Sequence, residues 1–151
     1  MTVEIREWTV QDSEHSDRLA QFLKQFEQAS REVKVDVEYA RQRYLEMKKR
    51  GVAHDLVAEE DGILKGAIGF IVAPDLHENR MVAIETFWFV APQYRGIGRE
   101  LMASFEKRAK ELGCNRTAMI HMVDSMPDIL KAFYEKNGYR LVECHYVKDL
   151  A

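Results

Sequence analysis

The chain reads as one mixed α/β (α+β) domain over residues 1–151. The predicted architecture is a mostly antiparallel central sheet of six to seven strands flanked by about four helices, in the order β-α-α-β-β-β-α-β-α-β. Three observations predict it. Strand-like and helix-like apolar patterns interleave in a mixed order along the chain. Asp61-Gly62 separates two apolar runs by the two residues of a tight hairpin, which makes its strands antiparallel. A third apolar run, Met81–Val90, leads through a Gly-containing turn into an amphipathic helix.

Residues 3–8 alternate polar and apolar and predict a first strand. Asp12 or Ser13 is suited to cap a helix with Leu19, Phe22, Leu23 and Phe26 on one face. A polar break at 30–34 precedes a second helix, opened by Asp36, striped by Val37, Ala40, Tyr44 and Met47, and closed by Gly51. Residues 53–59 and 63–73 form the hairpin strands, and 74–79 a polar loop. Met81–Val90 is apolar on both faces, as a buried central strand should be. The next helix carries Leu101, Met102, Phe105, Ala109 and Leu112 at helical spacing and ends at Gly113. A strand over 116–123, a helix over 126–137 and a last strand over 139–148 complete the chain.

A chain of 151 residues, 46% hydrophobic and 31% charged, is long enough to bury one real core. A net charge of −3 lacks the basic surplus that binding nucleic acid requires, and it is compatible with a cationic substrate. No apolar run reaches membrane-spanning length, and the first residues lack the basic-then-apolar plan of a signal peptide. Cys114 and Cys144 lie far apart without metal-ligand spacing and read as reduced, mostly buried thiols. A cytoplasmic enzyme without a metal fits these features.

The turn after Met81–Val90 is the most informative stretch. Gly96 and Gly98 lack Cβ and let backbone approach a ligand closely. The first N–H groups of the following helix have no partner within it, and they lie at the positive end of its dipole. Arg95 and Arg99 add charge that can fork onto phosphate oxygens. The expected ligand is a pyrophosphate or a phosphate ester.

Three ordered segments then carry a resemblance. Gln93-Tyr-Arg-Gly-Ile-Gly98 matches a [QR]-x-x-G-x-[GA] turn, and Ala132-Phe-Tyr-Glu-Lys-Asn-Gly-Tyr139 matches an F-Y-E-K-x-G-[FY] segment. Leu56-Val-Ala-Glu-Glu-Asp-Gly-Ile-Leu-Lys-Gly-Ala-Ile-Gly69 matches a V-A-E-x-D-G-x-x-x-G hairpin. Over residues 53–148 the chain resembles the GNAT superfamily of acyl-CoA-dependent N-acetyltransferases, and residues 1–50 agree in element order.

The resemblance implies acetyl-CoA as co-substrate and a primary amine as acceptor. The cofactor would enter a gap where the central strand and the strand over 116–123 splay apart. Its pantetheine arm would pair with backbone at Phe89 and Val90, and its pyrophosphate would sit on Gln93, Tyr94, Arg95, Gly96, Ile97, Gly98 and Arg99.

An alkyl ammonium cannot attack a thioester until it loses a proton. With a pKa near 10.4, roughly one amine in a few thousand is neutral at pH 7. Glu85, the only charge in Met81–Val90, is the candidate general base, and its apolar surroundings should raise its pKa. The alternative is an ion pair with a neighbouring Lys or Arg. His121, mid-strand, is a second candidate, against an ordinary satisfied histidine, and Asp124 a third. The resemblance makes Tyr134 the general acid for the departing thiolate. The residues alone allow a core aromatic on the stripe with Leu130 and Phe133.

Two departures stand out. The family's usual cofactor-contacting asparagine is Pro127 here, so that contact is either lost or replaced by Asp124 or Ser125. The short C-terminus holds one long strand, so an edge would be left for a second subunit in a homodimer. Acceptor specificity in the family comes from segments that correspond to 28–37 and 74–80. Two competing readings are a catalytically silent acyl-CoA-binding module and a generic phosphate-ester-binding α/β domain, the latter with a strongly parallel sheet.

Overall fold

A computed structural model describes residues 2–151. The chain divides into two units, 1–120 and 121–151. Among the described residues the first unit holds one five-stranded sheet in the order β1-β2-β3-β4-β5. Its strands are β1 (Glu4–Glu7), β2 (Ala53–Glu60), β3 (Ile63–Pro74), β4 (Met81–Val90) and β5 (Cys114–Ala118). β1 to β4 pair antiparallel, and β5 pairs parallel with β4.

The hairpin forms as its turn chemistry dictates. Asp61 and Gly62 both take positive φ, 51° and 76°, and Glu60 pairs with Ile63 across them.

Helices α1 (Val10–Glu14), α2 (Arg18–Lys24), α3 (Val37–Lys49) and α4 (Gly98–Glu111) complete the first unit. The single N-terminal helix expected from the apolar stripe is in fact two. Thr9, not Asp12 or Ser13, caps α1: its hydroxyl accepts the Asp12 N–H while the Asp12 carboxylate accepts the Thr9 N–H at 2.7 Å. The Ser16 hydroxyl then accepts the Arg18 N–H at 3.1 Å, a local bond that interrupts the helix and starts α2. Asp36 caps α3 as expected, accepting the Tyr39 N–H at 3.0 Å.

Apolar residues on the two faces of the sheet build two cores. On one face α4 packs Leu101, Phe105 and Ala109 against Leu56, Ala58, Ile68, Phe70 and Ala83. On the other, Trp8, Leu19, Phe22 and Leu23 pack with Val57, Ala67 and Phe87. Gly69 makes the second packing possible, because a Cβ there would lie inside the contact shell of the Phe87 ring. Gly69→Ala should therefore push that buried ring aside and cost ~1–3 kcal/mol, measured by denaturant unfolding.

The second unit contains α5 (Pro127–Lys136), closed by Gly138 at φ 86°. The expected strand over 139–148 is absent: no ladder includes these residues, and 140–151 are exposed. A strand-like run becomes a strand only where another strand takes up its backbone N–H and C=O groups. β5 also differs from expectation. It starts directly after Gly113 (φ 86°) and stops at Ala118, so His121 lies beyond it and not mid-strand. The sheet thus has five strands instead of six or seven, and the described residues carry five α-helices instead of four. Cys114 is buried, but Cys144 is exposed, contrary to expectation.

Candidate active site

β4 positions the first functional group. Its pairing with β3 runs Gly69↔Phe87 and then Phe70↔Glu85, which leaves Thr86 as an extra, exposed residue in a β-bulge. The bulge resets the alternation: Ala83 packs towards α4, whereas Phe87, also odd-numbered, packs towards α2. Glu85 sits at this break and is only 5% exposed.

On its other side β4 pairs with β5 only as far as Ile84↔Ala118. No strand of the described sheet faces Glu85 to Val90 on that edge. The ladder therefore ends beside Glu85, at the place where the resemblance puts the gap next to the central strand. The Glu85 Oε1 accepts the Ile120 N–H at 3.1 Å. Burial pushes the Glu85 carboxyl up to about 8, and the Ile120 N–H draws it partly back.

A second buried carboxylate shows what an offset charge looks like. Asp55, on β2, forms an ion pair with Lys48 of α3, with side chains 3% and 4% exposed. Lys48 also donates to Ser13 Oγ at 2.7 Å. Burial raises the Asp55 pKa while the Lys48 charge opposes the rise. Glu85 has no such cation among the described residues, which removes the ion-pair alternative raised by its sequence context. This cluster was missed by sequence reasoning, although Asp55 carries the same signal as Glu85, an acid inside an apolar strand. Its partner could not be found, because a lysine on an amphipathic helix reads as surface.

After β4 the chain enters a 3-10 segment, Pro92–Ile97, and α4 begins at Gly98. Gly98 is helical (φ −57°) and buried, with the Trp88 ring 3.4 Å from where its Cβ would be. At Gly96 a Cβ would meet nothing within 4 Å. Space beside the backbone is therefore open at Gly96, as a bound pyrophosphate needs. Gln93, Arg95 and Arg99 are exposed around it.

Tyr94 is committed inward. Its N–H bonds the Ala91 carbonyl at 2.8 Å, its hydroxyl donates to Glu60 Oε2 at 2.6 Å, and Lys65 Nζ lies 4.8 Å from its ring centre. That hydrogen bond is the main reason its phenol is pushed up. Its side chain shapes the turn. Phe89 is half-buried with its ring stacked on Phe26 at 4.9 Å, and Val90 is buried.

In the second unit, Tyr134 is buried on α5. The His121 ring meets it edge-on at 6.5 Å, and Tyr139 lies 5.8 Å away. His121 Nε2 is 2.9 Å from the Pro127 carbonyl oxygen, which makes that nitrogen a donor. Pro127 occupies the first helical position, where its missing N–H costs nothing. Asp124 is exposed. The first unit thus carries Glu85 together with the turn, and the second carries Tyr134 with His121.

A family model described as Acetyltransferase (GNAT) family matches residues 7–139. The chain belongs to this family. GNAT acetyltransferases use acetyl-CoA, and the open backbone at Gly96, flanked by Arg95 and Arg99, fits its pyrophosphate. No curated protein matches this GNAT chain significantly by sequence.

Solved structures share the GNAT fold at low identity. An aminoglycoside acetyltransferase from an uncultured soil metagenomic sample aligns with a TM-score of 0.77 at 18% identity, covering 100% of both chains. Glucosamine-6-phosphate N-acetyltransferase from Arabidopsis thaliana gives 0.74 at 20%, again over 100% of both chains. AAC(6')-Iy, in complex with the bisubstrate analogue CoA-S-monomethyl-acetylneamine, gives 0.74 at 16%, covering 100% of this chain and 99% of that one. Among the described residues no cluster of three or more His, Cys, Asp or Glu is arranged to hold a metal ion. No helix among them is long and apolar enough to cross a membrane.

Proposed function

We propose that this GNAT protein is a single-domain cytoplasmic N-acetyltransferase that moves the acetyl group of acetyl-CoA directly to a primary amine. The acceptor is a small molecule or a protein lysine or N-terminus. One observation carries the reading: Glu85 is a buried carboxylate with no cation, held at the open edge of β4 and raised to about 8. A group with that pKa, once ionised, suits proton removal from an ammonium.

Glu85 takes a proton from the amine, directly or through one water. The amine nitrogen forms a bond to the thioester carbonyl carbon as the carbon–sulfur bond breaks. A backbone N–H at Phe89 or Val90 holds the developing oxyanion. Tyr134 gives its phenolic proton to the departing thiolate and regains one from the acylated nitrogen. That role rests on the F-Y-E-K-N-G segment. Arg95, Gly96 and Arg99, with backbone from Gln93 to Gly98, hold the pyrophosphate.

Calorimetric titration with acetyl-CoA tests the donor half, and an amine-library screen that reads CoA release tests the acceptor half. No binding at millimolar acetyl-CoA would sink the proposal. Binding without CoA release from any amine would mark a silent acyl-CoA-binding module instead. Tyr134→Phe should lower kcat by ~10²-fold with the acetyl-CoA Kd nearly unchanged. An unchanged kcat would remove Tyr134 from the mechanism.

A further inference from the structure

The parallel ladder between β4 and β5 stops abruptly. Ile84↔Ala118 is its last pair, and Ile120 stands two residues further on, the spacing at which successive N–H groups of a continuing strand would face the same neighbour. In a continuing ladder its N–H would seek a main-chain carbonyl of β4. It bonds instead to the side chain of Glu85, at 3.1 Å.

We infer that Glu85 is a spacer as well as a base: its side chain replaces a ladder carbonyl and holds the chain after β5 away from β4. The reach through Cβ, Cγ and Cδ sets the two backbones several ångströms wider than the ~4.8 Å of a ladder. The bulge at Thr86 acts on the opposite edge, towards β3, so it cannot by itself supply a partner for the Ile120 N–H. Ile120 is the positioning residue of this pair, acting through its backbone. The consequence for acetyl-CoA rests on the transferase reading above, whereas the spacer itself does not.

The inference separates two substitutions that remove the same charge. Glu85→Gln keeps a carbonyl oxygen at the same reach and should keep the gap. Glu85→Ala has no acceptor and should let the two segments close or drift. Amide exchange at Ile120, followed by NMR without ligand, should show protection in the native protein and in Glu85→Gln. In Glu85→Ala exchange should be at least ~10-fold faster.

Acetyl-CoA titration should give a Kd within about twofold of native for Glu85→Gln and ~10-fold weaker for Glu85→Ala. If Glu85→Ala unfolds, Ile120→Pro removes the donor and leaves Glu85 in place, and it should weaken acetyl-CoA similarly.

Undiminished Ile120 protection in Glu85→Ala would overturn the spacer. So would lost protection with a native Kd in both Glu85→Ala and Ile120→Pro. Failure of the native protein to bind acetyl-CoA would overturn the transferase reading instead, and the exchange pattern would still decide the spacer.

Discussion

Glu85→Gln is expected to lower kcat/KM by ~10²-fold or more, because the glutamine cannot accept the amine proton. The native rate should rise with pH through about 8 and then level, as the buried carboxyl ionises. The variant should lack that limb. Near-native turnover with an intact limb would refute the base assignment.

The same substitution should change stability with the opposite sign. Glutamate in an unfolded chain titrates near 4.5, and Glu85 in the folded protein titrates at about 8. Between those values the native state holds a proton that the unfolded chain has released, so stability falls as pH rises through that window. The favourable contribution is complete only below about 4.5. At ~1.36 kcal/mol per pH unit the window is worth at most ~5 kcal/mol. A buried amide carries its own desolvation, so Glu85→Gln should gain roughly 2 kcal/mol above pH 8, or ~4–8 °C in Tm. At pH 5 the order should reverse, with the native protein roughly 2 kcal/mol the more stable, because most of the ~1.36 kcal/mol per pH unit is then regained. Thermal unfolding of both proteins across pH 5–9 reads this directly, and parallel Tm curves would contradict it.

The second large effect lies away from the chemistry. Lys48→Ala leaves Asp55 without its cation, with Trp8, Ser13 and Tyr44 near the pair. Breaking one side of a buried pair costs ~3–5 kcal/mol. The Asp55 pKa is already raised by burial and loses its chief opposing influence in the variant. Protonation then relieves the unpaired charge, so the loss should be smaller at pH 5 than at pH 8. The double variant Lys48→Met/Asp55→Leu should recover most of it. Denaturant unfolding at both pH values measures these differences, and an equal loss in single and double variants would count against the pair.

Much of the site was legible because its signals are local. Met81–Val90 is a strand with the bounds its apolar run implied, and the Asp61-Gly62 hairpin and Gly113 closure follow from backbone preferences at single residues. Glu85 stood out because one charge interrupts an apolar strand, and burial is what raises its pKa. The helix after the turn kept its predicted face, with Leu101, Met102, Phe105 and Ala109 buried.

The misses were of another kind. Residues 139–148 read as a strand but pair with nothing in the described sheet, since a strand exists only by virtue of its neighbour. Lys48 reads as a surface lysine and is buried by Asp55, thirty-odd places from the Ser13 it also bonds. The division of one N-terminal helix into α1 and α2 turned on two hydroxyls, Thr9 and Ser16, whose bonding depends on where the chain bends.

Periodicity, turn residues and the three ordered motifs determined the family, the turn proposed for the donor and the identity of a buried acid. They did so because each depends on residues within a few positions of one another. Only the tertiary structure decided that Asp55 has a cation while Glu85 has none, that the bulge at Thr86 switches the face of β4, and that the Ile120 N–H meets a side chain where a ladder would continue. Those outcomes depend on which strands and helices come together, a long-range choice that no local spacing encodes.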